Sequence, residues 1–372
     1  MACSPGSSRG EGEPLERADG FSKSRQVFKK TFSVKANRVS PRLKPTVMRQ
    51  SPKKCWFPFE KTLHDAYLEL YLQKERLLLA VSGGTDSLAL LWATSRTASS
   101  LGLHFEVASI DHGLREESAQ EVRFVQDISE KLKAPFHTRR LCIRKHAALE
   151  EQARHLRYAA LEEIRRRQNL NWIVTAHTAS DQACTLLMNL SRGAALSGAR
   201  GIWRRRGQIV RPMLTVVRED VEAYLQQTSL SPVADSMNED ERFFRVRMRR
   251  GLLKHLEKVA GASATLHLAR FCRYADEDEN FLHQLALRAF QKIQASPSTL
   301  DLMAFLCLEK PLQRRILALF LRQSGLEVDA ESIEKAIVAT QTKKNVTLTQ
   351  DCLLKFEKGL IFIVPAPPRK KR

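Results

Sequence analysis

The stretch Leu77-Leu78-Leu79-Ala80-Val81-Ser82-Gly83-Gly84-Thr85-Asp86-Ser87-Leu88-Ala89-Leu90-Leu91 decides the fold. Its first five residues are uninterruptedly apolar, as in a strand buried on both faces of a parallel sheet. Two glycines follow, giving a tight turn where backbone approaches a ligand closely. Asp86 or Ser87 is expected to cap the next helix, with Leu88, Leu90 and Leu91 toward its buried side. Strand, glycine turn and helix N-terminus together make an anion site, because amides point outward and the helix dipole favours negative charge. The Gly-x-x-x-x-Gly-Lys-Ser/Thr pattern of a Walker A loop does not occur here.

Outward from this stretch, strands and helices alternate. Residues 56–72 read as a leading helix, 103–110 as a second strand and 118–132 as a helix with Val122, Val125, Ile128 and Leu132 on one face. A strand at 136–141, a basic amphipathic helix at 149–167, a strand at 172–176 and a helix from Asp181 continue the pattern. This is βαβ spacing, so an α/β fold with a doubly wound parallel sheet is expected. Ligands in such sheets bind beyond the carboxyl ends of strands. The glycine turn, Asp111-His112 and His177 all fall at such ends. The alternation stops near 255–265. Residues 266–293 and 311–324 read as helices, and 345–349 with 360–364 as a closing β hairpin or small sheet. The expected organisation is a basic extension over 1–54, a catalytic domain over 55–258 and a mostly helical substrate-binding region over 259–372.

The formal charge is +20, which calls for a polyanionic partner such as RNA. Residues 1–55 hold thirteen Lys/Arg against four Asp/Glu, and Arg369, Lys370, Lys371 and Arg372 end the chain, so a smaller excess remains on the body. Residues 1–54 are Ser- and Arg-rich without apolar periodicity and read as disordered. They fit three roles: an organellar transit segment, an RNA-binding arm, or an extension upstream of a start at Met48. The expected compartment is the cytoplasm, or an organelle stroma or matrix if the first role applies. No stretch reaches the roughly 18 uninterrupted apolar residues of a membrane helix. The seven cysteines are scattered singly without C-x-x-C spacing, which suits a reducing compartment and gives a zinc ribbon or iron–sulfur site no local support.

Residues 82–87 resemble the SGGxDS signature of the PP-loop ATP pyrophosphatases, and further stretches resemble one branch of that family, the tRNA(Ile)-lysidine synthetases. Asp111-His112-Gly113-Leu114-Arg115-Glu116-Glu117-Ser118 is similar to DHGLRxxS, and the run from Leu149 to Tyr158 to LExxARxxRY. Thr175-Ala176-His177-Thr178-Ala179-Ser180-Asp181-Gln182-Ala183-Cys184-Thr185 follows TAHHxDDQxET, and Leu190-Ser191-Arg192-Gly193 continues it as LxRG. Asp235-Ser236-Met237-Asn238 with Arg245-Val246-Arg247-Met248-Arg249 resembles DxSN…RNRIR. The order and spacing of these stretches over about residues 75–255 carry the likeness.

The resemblance implies an adenine nucleotide α-hydrolase-like fold and a two-step ligation. ATP adenylates the C2 oxygen of the wobble cytidine of tRNA(Ile), in its CAU anticodon, and the ε-amine of free lysine then displaces AMP to give lysidine. Ser82, Gly83, Gly84, Thr85, Asp86 and Ser87 would hold the phosphates, with Asp111 and His112 beside them, and Asp86 would take Mg²⁺. The lysine amine must lose a proton to attack. Asp181 and Glu150 are the candidate carboxylates, and His112 and His177 would steady the transferring nucleotide. Arg192, Asn238, Arg245, Arg247 and Arg249 would contact tRNA. A homodimer is a further expectation. A carboxylate at a helix start, as at Asp181, also serves the helix dipole, and Arg154 and Arg157 also suit surface pairing. Thr178, Ser180 and Cys184 stand where the family pattern has its second His, first Asp and Glu, and Met237 and Val246 replace a Ser and an Asn. One carboxylate of a pair is thus gone, which bears on how the amine is held. The competing functions are another PP-loop tRNA-modifying enzyme and a degenerate nucleotide- or RNA-binding protein.

Overall fold

Leu77, Leu78 and Leu79 have no exposed surface, and they place β1 (Arg76–Ala80) in the middle of a six-stranded sheet. In the computed structural model, residues 56–113, 117–141, 149–228, 244–326, 329–349 and 352–366 are described. The expectations for 1–54 and for Asn238 lie outside them. β1 pairs in parallel with β2 (His104–Asp111) on one side and β4 (Trp172–Val174) on the other. β3 (Phe136–Arg140) continues beyond β2, and β6 (Ile209–Val210) beyond β4, both parallel. Only the edge strand β5 (Arg205–Arg206) runs antiparallel. The order β3-β2-β1-β4-β6-β5 winds outward from β1 in one direction and then resumes on its other side. The crevice of such a sheet opens where the order reverses, here between the carboxyl ends of β1 and β4.

Alternation along β1 separates the two faces. Leu77 and Leu79 join the core made by α1 (Pro58–Glu69), α2 (Thr85–Leu101), α3 (Glu117–Lys131) and α7 (Arg218–Gln227), whereas Leu78 packs with Ile173 and with Leu161 of α4 (Leu149–Arg167). Each fully buried leucine contributes roughly 2 kcal/mol. Polar ties fix the first face: Tyr67 and Thr94 share a 2.6 Å hydrogen bond, and buried Glu60 accepts from Tyr224 at 2.9 Å and pairs with Arg96. Neither Asp86 nor Ser87 caps α2, contrary to expectation. Gly84 is the N-cap, in extended conformation and without a side-chain bond, so both residues fall inside the first turn.

Beyond α5 (Ala179–Leu190), α6 (Leu196–Ala199) and α7, the chain re-enters as α8 (Phe244–Arg247). A π-helical turn (Met248–Leu253) and α9 (Lys254–Ala260) follow. The long α10 (Ala264–Ile293) bridges two packing regions. Its Cys272 and Ala275 meet Leu186 and Ala199, while Ala286, Phe290 and Ile293 enter a second core. That core is built with α11 (Leu302–Leu306), α12 (Lys310–Gln323) and α13 (Ala330–Thr342). It is covered by a five-stranded antiparallel sheet of β7 (Gln294–Ser296), β8 (Thr299–Asp301), β11 (Leu360–Pro365), β10 (Cys352–Glu357) and β9 (Val346–Thr349), in that order. The two closing segments share one small sheet, the second of the two arrangements expected, but do not pair directly: β10 lies between them. The hairpin is β10–β11, turned by Lys358-Gly359, both at positive φ, which matches the twist of the strands it joins. No helix among the described residues is long and apolar enough to cross a membrane.

Candidate active site

The loop after β1 owes its shape to Gly83, whose φ of +87° lies in the left-handed region. Gly84 sits in an ordinary extended conformation, and a Cβ there would meet only Ser82 Oγ at 3.6 Å. Its missing side chain therefore leaves space that the protein does not fill. Ser87 braces the turn from within: its hydroxyl donates to the Gly84 carbonyl at 2.9 Å and accepts from the Ser82 N–H at 3.2 Å. Ser82 itself is exposed. Asp86 is half-buried on the first turn of α2, where burial, then the nearby Asp181 charge, push its carboxyl up to about 6 against the pull of Arg218 and Arg249.

The mouth of β4 is electrostatically the reverse. His177 is hydrogen-bonded through Nδ1 to Thr175 Oγ1 at 2.9 Å. Burial holds its imidazole well below the ordinary value, the Asp181 charge opposing and Arg211, Arg245 and Arg154 assisting, so it is neutral at pH 7. Asp181 is the third residue of α5. One carboxylate oxygen accepts from the Thr178 N–H at 2.9 Å, a reciprocal cap, and the other from Arg245 and Arg249, each at 2.9 Å. Burial alone would raise this carboxyl; Arg245, His177 and Arg249 overcome that and hold it below the usual range. Thr178, in the place of the family's second His, takes part in the helix cap, and Gln182 grips the backbone of Arg200 and Ile202. Cys184 is fully buried against Arg249, and burial keeps its thiol raised and neutral.

At the end of β2, Asp111 accepts from Gly113 N–H at 2.7 Å and from the Ser118 hydroxyl, with Arg140 at 3.6 Å. These bonds outweigh the burial that would raise it and keep it ionised. His112 Nδ1 is buried with no hydrogen-bond partner, and burial and then Arg157 hold the ring neutral. Arg154, Arg157 and Tyr158, which the sequence offers only as part of the LExxARxxRY-like run, crowd the same region with Arg211, which sequence reasoning did not single out. The guanidinium groups of Arg154 and Arg157 lie 5.1 and 5.3 Å from the Tyr158 ring centroid, and Arg211, only 4% exposed, adds a third cation whose charge Tyr158 feels. The motif-like order of α4 marks the first three in the sequence; nothing local marks Arg211. Nε of Arg211 and Nε of Arg249 are buried without partners. A cluster of cations, neutral histidines and unpartnered donors is suited to anionic ligands.

Among the remaining expected residues, Arg192 and Arg247 flank the Phe244 ring, both at 5.7 Å. Glu150 lies in the first turn of α4, its side chain outside what is described. Among the described residues no group of three or more His, Cys, Asp or Glu is placed to hold a metal by itself. A cation at Asp86 would thus need phosphate oxygens to complete its shell.

A family profile described as a PP-loop domain matches residues 58–256. The tRNA(Ile)-lysidine synthase of Novosphingobium aromaticivorans is 41% identical over 203 residues, 52% of this chain and 61% of that protein. The tRNA(Ile)-lysidine synthase of a Synechococcus species is 33% identical over 309 residues, 80% of this chain and 93% of that one. Other relatives are longer, and the chain spans from 43% to 58% of their length. The U34-tRNA thiolase NcsA from Methanococcus maripaludis shares the fold, with a TM-score of 0.51 at 12% identity over 59% of this chain and 78% of that one. With more than half of its residues matched to the PP-loop domain, and one relative aligned over nearly its whole length, the chain belongs to the tRNA(Ile)-lysidine synthase family of PP-loop proteins.

Proposed function

We propose that the chain catalyses ATP-dependent ligation of free lysine to C2 of the wobble cytidine of tRNA(Ile). The cytidine O2 attacks the α-phosphorus, the α–β bond breaks and diphosphate leaves. The lysine ε-amine, having lost a proton, then attacks C2, and the C2–O bond breaks with AMP as the leaving group. The amides of Gly83 and Gly84 and the hydroxyls of Ser82 and Thr85 hold the phosphate oxygens, with Ser87 bracing the loop. Asp86 supplies the protein ligand for Mg²⁺, which would neutralise charge on the departing diphosphate. His112, buried with its Nδ1 unpartnered, donates or accepts at the nucleotide. Residues 55–258 carry this chemistry, and 259–372 support the tRNA.

At the other half-site, Arg245 and Arg249 hold Asp181 in the resting protein. tRNA phosphates draw these cations away, and the bared carboxylate receives the lysine ammonium. As the arginines leave, what held this carboxyl below the usual range goes with them and burial acts against it, so the bared Asp181 orients the ammonium and, with Glu150, is a candidate acceptor of its proton. The observation that carries the reading is that β1 and β4 are parallel neighbours, so the glycine loop after one and the Asp181 helix start after the other open on the same crevice. The test is diphosphate release from ATP with lysine and unmodified tRNA(Ile) transcript. Release that needs both is expected. Release independent of both would indicate a different PP-loop reaction, and no release would indicate a nucleotide- or RNA-binding protein.

A further inference from the structure

Phe244 opens α8 with 37% of its surface exposed. Its neighbour Arg245 reaches Asp181 at 2.9 Å, so the ring stands at the rim of the crevice. Arg192, from the turn after α5, and Arg247, one helical turn along, each bring a guanidinium to 5.7 Å from its centroid. Another aromatic shows what such a contact looks like when the fold consumes it. Arg200, 3.9 Å from the Trp203 centroid, is bound by Asp276 and by Asn280, which tie it to α10. Arg192 has no carboxylate partner among the described residues.

A part-open ring beside a cation with no carboxylate partner among the described residues matches a partner that offers an aromatic face and a negative backbone together. That is a nucleotide in a single-stranded loop. Chemistry at C2 requires the target base to leave the stack, and the base next to it loses a neighbour. We propose that Phe244 replaces that neighbour: an unpaired anticodon-loop base adjacent to the wobble cytidine stacks on its ring, and Arg192 contacts a flanking phosphate. The proposal rests on the function argued above and adds a positioning residue to it.

The experiment is binding of unmodified tRNA(Ile) transcript to the full chain, unsubstituted and as Phe244→Ala, Phe244→Leu, Phe244→Trp and Arg192→Ala, over a series of salt concentrations, with ATP binding measured in parallel. Phe244→Ala and Phe244→Leu should each weaken tRNA binding about tenfold, and Phe244→Trp should stay within about twofold, because stacking needs a π face and not merely volume. ATP binding should be unchanged in all of them, which also reports that the chain is folded. The slope of log affinity against log salt should be unaltered by Phe244→Ala and should fall by about one for Arg192→Ala. Binding by Phe244→Leu equal to the unsubstituted chain would reduce the ring to packing and overturn the proposal. So would a salt slope that falls with Phe244→Ala, since the ring would then act only by placing cations. An unsubstituted chain that does not distinguish this transcript from tRNAs of other anticodons would overturn the proposed function, and this proposal with it.

Discussion

The mouths of β1 and β4 adjoin each other and treat a carboxylate in opposite ways. At β1 the wall is backbone and hydroxyl, and burial with a like charge opposite pushes Asp86 up to about 6. At β4 the wall is guanidinium, and two arginines at 2.9 Å with a capped helix start hold Asp181 down. The same residue type is thus prepared to gain a cation on one side and already paired with two on the other. One mouth thus suits a cation at Asp86, and the other suits anions at Arg154, Arg157, Arg211, Arg245 and Arg249, whose charge outweighs the Asp181 carboxylate that the last two share. A metal-bound nucleotide followed by an RNA phosphate supplies both, in that spatial order.

The comparison breaks most completely at the loop. Gly84→Val should abolish ATP binding while leaving the thermal transition in place, because valine adopts the extended backbone of this position and its Cβ meets only Ser82 Oγ at 3.6 Å. A folded Gly84→Val chain that binds ATP as the parent does would remove the loop from the site. At the other mouth, Asp181→Asn keeps the size and the cap but loses the charge. Lysine-dependent AMP release should fall roughly 10²-fold or more, with ATP binding spared. Transfer at the parental rate would pass the amine-holding role to Glu150.

Much of this was legible in the sequence, and what was not has a physical reason. An unbroken Leu77–Leu79 run reads as a doubly buried strand because no face of it is available to water, and the alternation with helices then fixed the sheet's winding. Asp181 and His177 were legible as site candidates, but the partners of Asp181 were not, since Arg245 and Arg249 arrive from more than sixty positions away. Arg211 sits between the two-residue strand β6 and the turn at Pro212 with no motif around it, and only its burial beside Tyr158 reveals it. The helix start at Gly84 was misassigned to Asp86 or Ser87 because side-chain caps are the commoner device, whereas here the N-cap must be bare. β10 escaped notice because Lys355 and Glu357 interrupt its apolar residues, so neither a continuous run nor a strong alternation marks it.

The contrast is sharpened by pH in the metal- and nucleotide-free protein. A carboxyl raised in the folded state binds more protons there than when unfolded, so its ionisation costs stability as pH climbs from about 4 to about 6. Asp86→Asn should therefore stabilise the chain at pH 7 by roughly 1–3 kcal/mol, with the gain gone near pH 4. Asp181 has the opposite sign: its contribution is present above the ordinary carboxylate pKa near ~4 and is lost on further acidification, so Asp181→Asn should destabilise at pH 7. Denaturant midpoints measured from pH 4 to 7 on both variants check this. Shifts of the same sign would show that the two mouths do not differ electrostatically.

The smallest effect concerns Ser87, and it decides whether that residue braces the loop or touches the ligand. Its hydroxyl is spent inward, on the Gly84 carbonyl at 2.9 Å and the Ser82 N–H at 3.2 Å, and the residue is 7% exposed. The Gly84 carbonyl keeps a second partner in the Leu88 N–H at 3.0 Å, so Ser87→Ala leaves that acceptor satisfied and releases the N–H and the hydroxyl of Ser82, next to solvent. The cost should be near 1 kcal/mol, seen as a thermal transition a few degrees lower and an ATP affinity reduced by about fivefold or less. Ser82→Ala removes a hydroxyl on an exposed residue whose contact within the protein is a 3.3 Å hydrogen bond with Ser87 Oγ, and should weaken ATP binding with little effect on the transition. Titration of both variants with ATP separates the roles. A loss of a hundredfold or more in Ser87→Ala would make its hydroxyl a direct phosphate contact and place the inner wall of the loop, not only its rim, in the nucleotide site.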